Sequence, residues 1–79
     1  MYYVYILISL TNNEYYVGSS EDLKSRFKAH NNGLVKTTKG NLPYELAWHC
    51  VFNDKQKAIQ FEKYLKQGSG FAFRNKHLV

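Results

Sequence analysis

Cysteine, proline and acidic side chains are scarce in this chain, and long apolar runs are absent. Among 79 residues there is one cysteine, Cys50, so no disulfide can form within the chain. No apolar stretch approaches the roughly 20 residues that a membrane-spanning helix needs. The N-terminus lacks the positive flank and the small-residue cleavage site of a signal peptide. These absences exclude a disulfide-stapled scaffold and predict one cytoplasmic domain over residues 1–79 with no membrane contact.

Positive charge and aromatic side chains are what the chain has in excess. Eleven Lys and Arg residues against six Asp and Glu give a net charge of +5, and there are seven Tyr, five Phe and one Trp. Each aromatic side chain can bury on the order of 150–250 Å² in a small core. A small basic domain rich in aromatics favours a polyanionic partner such as nucleic acid, although lysines also serve solubility alone.

Residue patterning predicts three strands and three helices. Runs of β-branched and aromatic residues indicate strands, and capping and turn residues mark the helix ends. The strands are predicted at Tyr2–Ile8, Glu14–Gly18 and Pro43–Phe52, and the helices at Ser19–His30, Asp54–Gln67 and Phe71–His77. The segment between Leu34 and Leu42 is predicted to be a loop. The result is an α+β domain in the order β-β-α-β-α-α, with a three-stranded antiparallel sheet flanked by helices.

The third strand and the helix starts give more detailed predictions. Alternation along the third strand places Leu46, Trp48 and Cys50 on one face. A serine at Ser19–Ser20 is expected to cap the first helix, and Asn53 the second.

The first helix carries cations close to its apolar stripe. At a period of 3.6 residues, Arg26 and His30 fall beside Leu23 and Phe27, which predicts that both lie at the edge of the buried face. A guanidinium matches the oxygens of a phosphate well. The alternative is that Arg26 extends past Phe27 to pair with a local acid.

The second helix places an acid where an apolar residue is expected. Glu62 lies on the stripe of Ala58, Phe61 and Leu65. A desolvated carboxylate must be paired, protonated or bound to a metal, and Mg²⁺ can be held by one carboxylate together with a substrate phosphate. The alternative is a structural ion pair of Glu62 with Arg26 or a nearby lysine.

Tyrosines on the predicted hairpin complete the candidate site. Tyr5 lies on the first strand, and Tyr16 lies on the second, just before Gly18. A phenol can pack in a sheet and still present its hydroxyl to a phosphate or a water. Core packing is the alternative for either tyrosine.

Together these residues identify a resemblance to the GIY-YIG nuclease family. Its two name-giving tripeptides correspond to Tyr3-Val4-Tyr5 and Tyr16-Val17-Gly18, and the helix with Arg26 and His30 and the acidic helix with Glu62 follow. The chain is most similar to small bacterial proteins related to the nuclease domain of the excision-repair incision subunit. It departs from the family pattern in starting the first tripeptide with Tyr3 instead of glycine.

The resemblance implies a metal-dependent DNA endonuclease with five catalytic side chains. Tyr5 would deprotonate or orient the attacking water, and Tyr16 would hold the water or the scissile phosphate. Arg26 would bind the phosphate, and His30 would assist the water or the phosphate. Glu62 would be the protein ligand of a divalent metal, Mg²⁺ or Mn²⁺.

The remaining expectations concern the substrate. Lys36, Lys39 and Asn75 are candidate substrate-binding residues, with Asn75 as the candidate for the family's late asparagine, and Trp48 could stack on a base. The resemblance implies DNA as the partner and a link to DNA repair. A small basic face with Tyr, Phe and Trp side chains, which can stack on bases, gives weight to single-stranded DNA. Two alternatives stay open: a non-catalytic nucleic-acid-binding module, and an interaction domain in which Arg26 and Glu62 form a closed ion pair. The oligomeric state is open.

Overall fold

The computed structural model describes all residues from 1 to 79 and has the predicted α+β architecture. The strands are β1 (Tyr2–Ser9), β2 (Tyr15–Ser20) and β3 (Tyr44–Phe52), and the helices are α1 (Leu23–Asn31), α2 (Lys55–Leu65) and α3 (Gly68–Phe73). A 3-10 turn at Lys39–Asn41 precedes β3, and a π-helical turn at Arg74–Leu78 follows α3. The predicted order β-β-α-β-α-α is confirmed. No helix is long and apolar enough to cross a membrane.

The sheet is antiparallel with β1 in the centre, in the order β2-β1-β3, so β2 has one unpaired edge. Its two faces bury separate clusters because successive side chains alternate across a strand. On one face Val4, Ile6 and Val17 pack with Ala58 and Leu65 of α2. On the opposite face a second cluster packs beneath α1, and its buried members are Tyr5, Leu7 and Tyr44.

A bulge in β3 corrects the predicted face of Leu46. The pairing of β1 with β3 shifts between Ile6 and Leu7, so that Ile6 lies opposite Trp48 and Leu7 lies opposite Leu46. The extra residue, Ala47, moves Leu46 to the α1 face, while Trp48 stays on the α2 face. Trp48 packs against Phe61 there, with ring centroids 6.2 Å apart, so core packing is the observed environment of the tryptophan.

The helix starts also differ from prediction. Aspartates cap both long helices: Asp22 accepts from Ser25 N at 3.0 Å, and Asp54 accepts from Gln56 N at 2.8 Å. The predicted caps at Ser19, Ser20 and Asn53 are therefore wrong by one to three residues, because a carboxylate caps the first N–H groups as well as a hydroxyl and its charge complements the helix dipole.

The third helix begins three residues earlier than predicted. Gly68 adopts the left-handed conformation (φ 47°) at the end of α2, and α3 starts at the same residue. Gly70 packs directly on the last turn of α2: a Cβ there would meet the carbonyl oxygen of Tyr64. The glycines thus allow the chain to turn between the two helices and the second helix to pack closely against the first.

Candidate active site

A buried hydrogen-bonded chain runs from β1 through α1 to the following loop. The Tyr5 hydroxyl lies 2.9 Å from His30 Nε2, and His30 Nδ1 lies 2.8 Å from Thr38 Oγ1. His30 and Thr38 are completely buried, and Tyr5 is 1% exposed. Strand β1 presents Tyr5, the last turn of α1 presents His30, and the loop before the 3-10 turn presents Thr38.

The partners of Thr38 favour one tautomer of His30. Its hydroxyl is within reach of the Val35 carbonyl, at 3.4 Å, and when it donates there its oxygen is free to accept from His30 Nδ1–H. His30 Nε2 is then the acceptor for the Tyr5 hydroxyl. Burial, and secondly the positive charge of Arg26, lower the pKa of His30 to about 4, so the imidazole is neutral at pH 7.

Tyr5 is a neutral phenol in a closely fitted site. Burial raises its pKa to about 12, and the negative charge of Glu62 adds to the rise, while Arg26 acts in the opposite direction. Gly18 lies against the ring: a Cβ on Gly18 would be 2.5 Å from the Tyr5 hydroxyl oxygen. Only glycine at position 18 therefore lets the phenol reach His30. Desolvation therefore outweighs the opposing effect of Arg26 on the pKa of Tyr5.

Aromatic rings enclose the imidazole. The ring centroids of Tyr16 and Tyr5 lie 5.0 and 5.8 Å from that of His30, both edge to face, and Tyr44 lies at 6.5 Å. The side chain of Asn31 holds α1 on β3 by bonding both the N–H and the carbonyl of Tyr44, at 2.7 and 2.9 Å. The position of His30 is therefore set from both sides, by the rings and by the anchoring of its helix.

Arg26 and His30 occupy different environments on α1. Leu23, Phe27 and His30 form the face that packs on the sheet, and Arg26 lies at its flank, exposed to solvent. The prediction that both residues lie at the edge of the buried face is therefore wrong: Arg26 is outside it and His30 is inside it. Arg26 still interacts with both members of the Tyr5–His30 pair, since its charge acts on both of their pKa values.

Glu62 lies across strand β2 from the phenol. Its Oε1 accepts from the Ser19 hydroxyl at 2.5 Å, and its Oε2 pairs with Lys66 Nζ at 2.8 Å. Lys66 Nζ also lies 5.8 Å from the Tyr16 ring centroid. The alternative of an ion pair with a nearby lysine is thus observed, whereas the closed Arg26–Glu62 pair of an interaction domain is not formed.

The oxygen donors around Glu62 suit a hard divalent cation bound jointly with substrate. No group of three or more His, Cys, Asp and Glu side chains forms a protein-only metal cage. Mg²⁺ commonly keeps several waters and uses one or two carboxylates together with substrate phosphates. Glu62, whose side chain is 20% exposed, with the Ser19 hydroxyl beside it, fits that mode once Lys66 has moved away.

The predicted substrate-binding residues are dispersed. Lys36 and Lys39 are exposed on either side of Thr38, on the loop that closes over His30. Asn75 lies in the π-helical turn and accepts from Arg74 Nε at 3.2 Å, in a cleft with Tyr15 on the far side of β2. The structure therefore brings together Tyr5, Tyr16 and His30, with Arg26 and Glu62 around them, and leaves Asn75 apart.

Sequence reasoning missed three residues of this site: Ser19, Thr38 and Lys66. Lys66 had a signal, since it lies four residues after Glu62 on one helix. The sequence signal for Ser19 was weaker: it follows Gly18 on β2, so its side chain lies on the opposite face of the sheet. Thr38 had none, because its contact with His30 depends on the path of a loop without a regular period.

Comparisons with known proteins identify the family and agree with the fold. A family model described as the GIY-YIG catalytic domain matches residues 1–76. A UPF0213 protein of Clostridium perfringens is 40% identical over 68 residues, which cover 85% of this chain and 72% of the relative. A UPF0213 protein of Vibrio campbellii is 37% identical over 62 residues, which cover 77% of this chain but only 60% of that relative. The solution NMR structure of a UPF0213 protein from Bacillus halodurans is similar, with 31% identity and a TM-score of 0.57 over 95% of this chain and 81% of that one.

Proposed function

Because the chain belongs to the GIY-YIG catalytic domain family, we propose that it is a metal-dependent endonuclease that hydrolyses phosphodiester bonds in DNA. The proposal treats residues 1–79 as one catalytic domain that works in the cytoplasm with Mg²⁺ or Mn²⁺. The observation that carries it is the buried 2.9 Å hydrogen bond between Tyr5 and neutral His30. A phenol, an imidazole, a guanidinium and a carboxylate around one strand supply the groups that hydrolysis of a phosphodiester needs.

In this proposal Tyr5 and His30 handle the proton of the attacking water. The water donates to the Tyr5 oxygen, and as its proton is transferred, the proton of Tyr5 moves to His30 Nε2. The Thr38 oxygen holds the Nδ1–H, so the ring needs no rotation during the transfer. The low exposure of Tyr5 keeps this proton away from bulk water.

Arg26 has the role of binding the scissile phosphate. Its positive charge opposes protonation of His30 in the free protein, and a bound phosphodiester supplies a compensating negative charge. Substrate binding therefore raises the proton affinity of His30 when it is needed. Tyr16, in ring contact with His30, has the role of holding the water or a phosphate oxygen from the opposite side.

Glu62 has the role of metal ligand, with Ser19 as its hydrogen-bonding support. A divalent ion bound there would act as a Lewis acid on the phosphate and the leaving oxygen. The side chains keep their own tasks: Glu62 binds the ion, Ser19 orients the carboxylate, and Lys66 balances its charge until the ion and the substrate arrive.

The test is a cleavage assay on labelled single-stranded and double-stranded DNA with Mg²⁺ and with Mn²⁺. Tyr5→Phe should reduce the rate by roughly 10²–10⁴-fold, the range of a lost general acid–base group. Glu62→Gln should remove the metal-dependent rate, because it replaces the carboxylate that would bind the ion. Tyr2→Phe and Glu45→Gln, which alter the same side-chain types outside the site, serve as matched controls and should retain the rate.

Two outcomes would contradict the proposal. If the folded protein leaves both DNA forms intact with either metal but binds them, the non-catalytic nucleic-acid-binding alternative is correct. Full activity of Glu62→Gln would show that another group holds the metal. The relative cleavage rates of the two DNA forms in the same assay show whether single strands are preferred. They also decide whether a role in DNA repair should be tested next.

A further inference from the structure

Arg74 is a buried arginine without a carboxylate partner. It is 7% exposed, and the only ion pair in the structure joins Lys66 to Glu62. Its guanidinium lies 4.4 Å from the ring centroid of Phe71 and 5.5 Å from that of Tyr15. Arginine is seldom buried unless it is paired, so this placement requires an explanation.

Most of the hydrogen-bonding capacity of Arg74 is unused. Of the five N–H groups of a guanidinium, only Nε–H has a protein acceptor, the Asn75 side chain at 3.2 Å. Every fully buried side-chain nitrogen and oxygen has a partner. The two terminal nitrogens of Arg74, which have none, are therefore not fully buried, and Arg74 lines an adjoining cleft of about 480 Å³.

The walls of this cleft combine a fixed cation with exposed aromatic faces. Phe71 and Tyr15 are 47% and 37% exposed, so each ring contacts Arg74 and also remains open to solvent. Glu14 is the only carboxylate among the lining residues, and it makes no ion pair with Arg74. Its negative charge disfavours a phosphate dianion more than a singly charged phosphodiester.

The cleft lies directly across the free edge of the sheet from the candidate active site. Tyr15 and Tyr16 are neighbours on β2 and point to opposite faces. Tyr16 contacts His30 on one face, and Tyr15 contacts Arg74 on the other. A single DNA strand that passes over the unpaired edge of β2 can therefore reach the candidate active site and the cleft at once.

We propose that the Arg74 cleft is a second binding site for single-stranded DNA. Arg74 binds one phosphodiester through its terminal nitrogens, and Phe71 or Tyr15 stacks on the adjacent base. A planar guanidinium fork fits phosphate oxygens, and stacking on aromatic side chains tolerates any base. The identification of the bound strand with the strand being cleaved rests on the proposed function, whereas binding itself does not require cleavage.

The first test is an NMR titration in EDTA with a thymidine oligonucleotide of about eight residues. The chain has two arginines, Arg26 and Arg74, so two Nε–Hε signals report on the two places separately, and Arg74→Gln assigns them. We expect the oligonucleotide to shift both signals. A shift of the Arg26 signal alone, or no shift of either at low salt, would overturn the proposal.

The second test is affinity as a function of salt. Arg74→Gln should weaken oligonucleotide binding about tenfold and reduce the slope of log affinity against log salt by about 0.7, the value for one lost phosphate contact on a single strand. Phe71→Ala, which removes an exposed ring and retains the charge of Arg74, should weaken binding at least about fivefold. Lys57→Gln removes an equal charge from the exposed face of α2 and should have little effect.

Thermal unfolding of each variant separates lost binding from lost folding. Equal effects of Arg74→Gln and Lys57→Gln on binding would mean that Arg74 contributes only general surface charge, and would refute the proposal. Selective loss of binding in a protein that never cleaves DNA would uphold the cleft and refute the proposed function. A wild-type level of binding in folded Arg74→Gln and Phe71→Ala, in a protein that does cleave, would refute only the cleft.

Discussion

Lowering the pH from 7 to 4 should destabilise the folded protein through His30. In the folded state burial and the charge of Arg26 lower the pKa of this imidazole from 6.5 to about 4. Between these two values the unfolded chain binds a proton at His30 that the folded protein does not bind. The contribution to the free energy of unfolding is therefore complete above pH 6.5 and is lost as the pH falls towards 4.

The expected effect is large for a chain of this size. The gap between 6.5 and about 4, at about 1.36 kcal/mol per pH unit, amounts to about 3 kcal/mol. A domain of 79 residues has a total stability of roughly 4–12 kcal/mol. Protonation of one side chain would therefore remove a substantial part of it. The groups that contact the ring are Thr38, Tyr5, Tyr16 and Tyr44, none of which is a carboxylate that could compensate the imidazolium.

Urea unfolding, followed by Trp48 fluorescence between pH 4 and 8, measures this effect. Wild type and His30→Gln share all carboxylates, including Asp22 with its lowered pKa, so the contributions of those groups cancel in the difference between the two curves. That difference should decrease by about 3 kcal/mol from pH 7 to 4 and stay constant above pH 7. His49→Gln, at an exposed histidine, should give a curve parallel to wild type. Parallel curves for wild type and His30→Gln would refute the assignment of a neutral, acid-sensitive His30.

Three further substitutions probe the surroundings of His30 and of Glu62. Gly18→Ala places a Cβ 2.5 Å from the Tyr5 hydroxyl oxygen, so it should lower stability by about 1–3 kcal/mol in urea unfolding and abolish DNA cleavage, whereas Gly40→Ala, with open space around it, should do neither. Thr38→Val leaves the imidazole N–H without an acceptor and should lower stability by about 1–3 kcal/mol; an unchanged urea midpoint would contradict the hydrogen bond. Lys66→Gln removes the ammonium that competes for the proposed metal-ligand carboxylate. Since exposed ion pairs contribute roughly 0.2–1 kcal/mol, this change should tighten Mn²⁺ binding by up to about fivefold, as measured by paramagnetic line broadening. Weaker binding would mean that the lysine supports the metal site.

Local patterning was sufficient to predict most of the fold. The hairpin, the first helix and the order of elements follow from alternation, turn residues and helix ends, which are properties of neighbouring residues. The face of Leu46 was not predictable in the same way, because the inserted Ala47 becomes a bulge only through its pairing with β1. The start of α3 at Gly68 was obscured because glycine ends a helix far more often than it begins one.

The site was predictable where the resemblance named a residue and not where tertiary contacts define it. Tyr5, Tyr16 and His30 were expected together and lie together. The burial of His30 and the exposure of Arg26 were not expected, because a period of 3.6 residues does not reveal how wide a helix face the sheet will cover. Thr38 was missed because a loop threonine gains its role only when the chain folds back over α1.

Strand β2 lies between the Tyr5 phenol on the α1 face of the sheet and the Glu62 carboxylate on the α2 face. Gly18 and Tyr16 point to the α1 face with Tyr5, while Ser19 points to the α2 face with Glu62. Adjacent residues of β2 therefore contact the Tyr5 phenol and the Glu62 carboxylate, and the negative charge of Glu62 contributes to raising the pKa of Tyr5. No further strand pairs with the outer edge of β2. The sequence of β2 thus has a physical reason: Gly18 leaves room for the buried phenol of Tyr5, and the next residue, Ser19, holds the carboxylate of the proposed metal ligand.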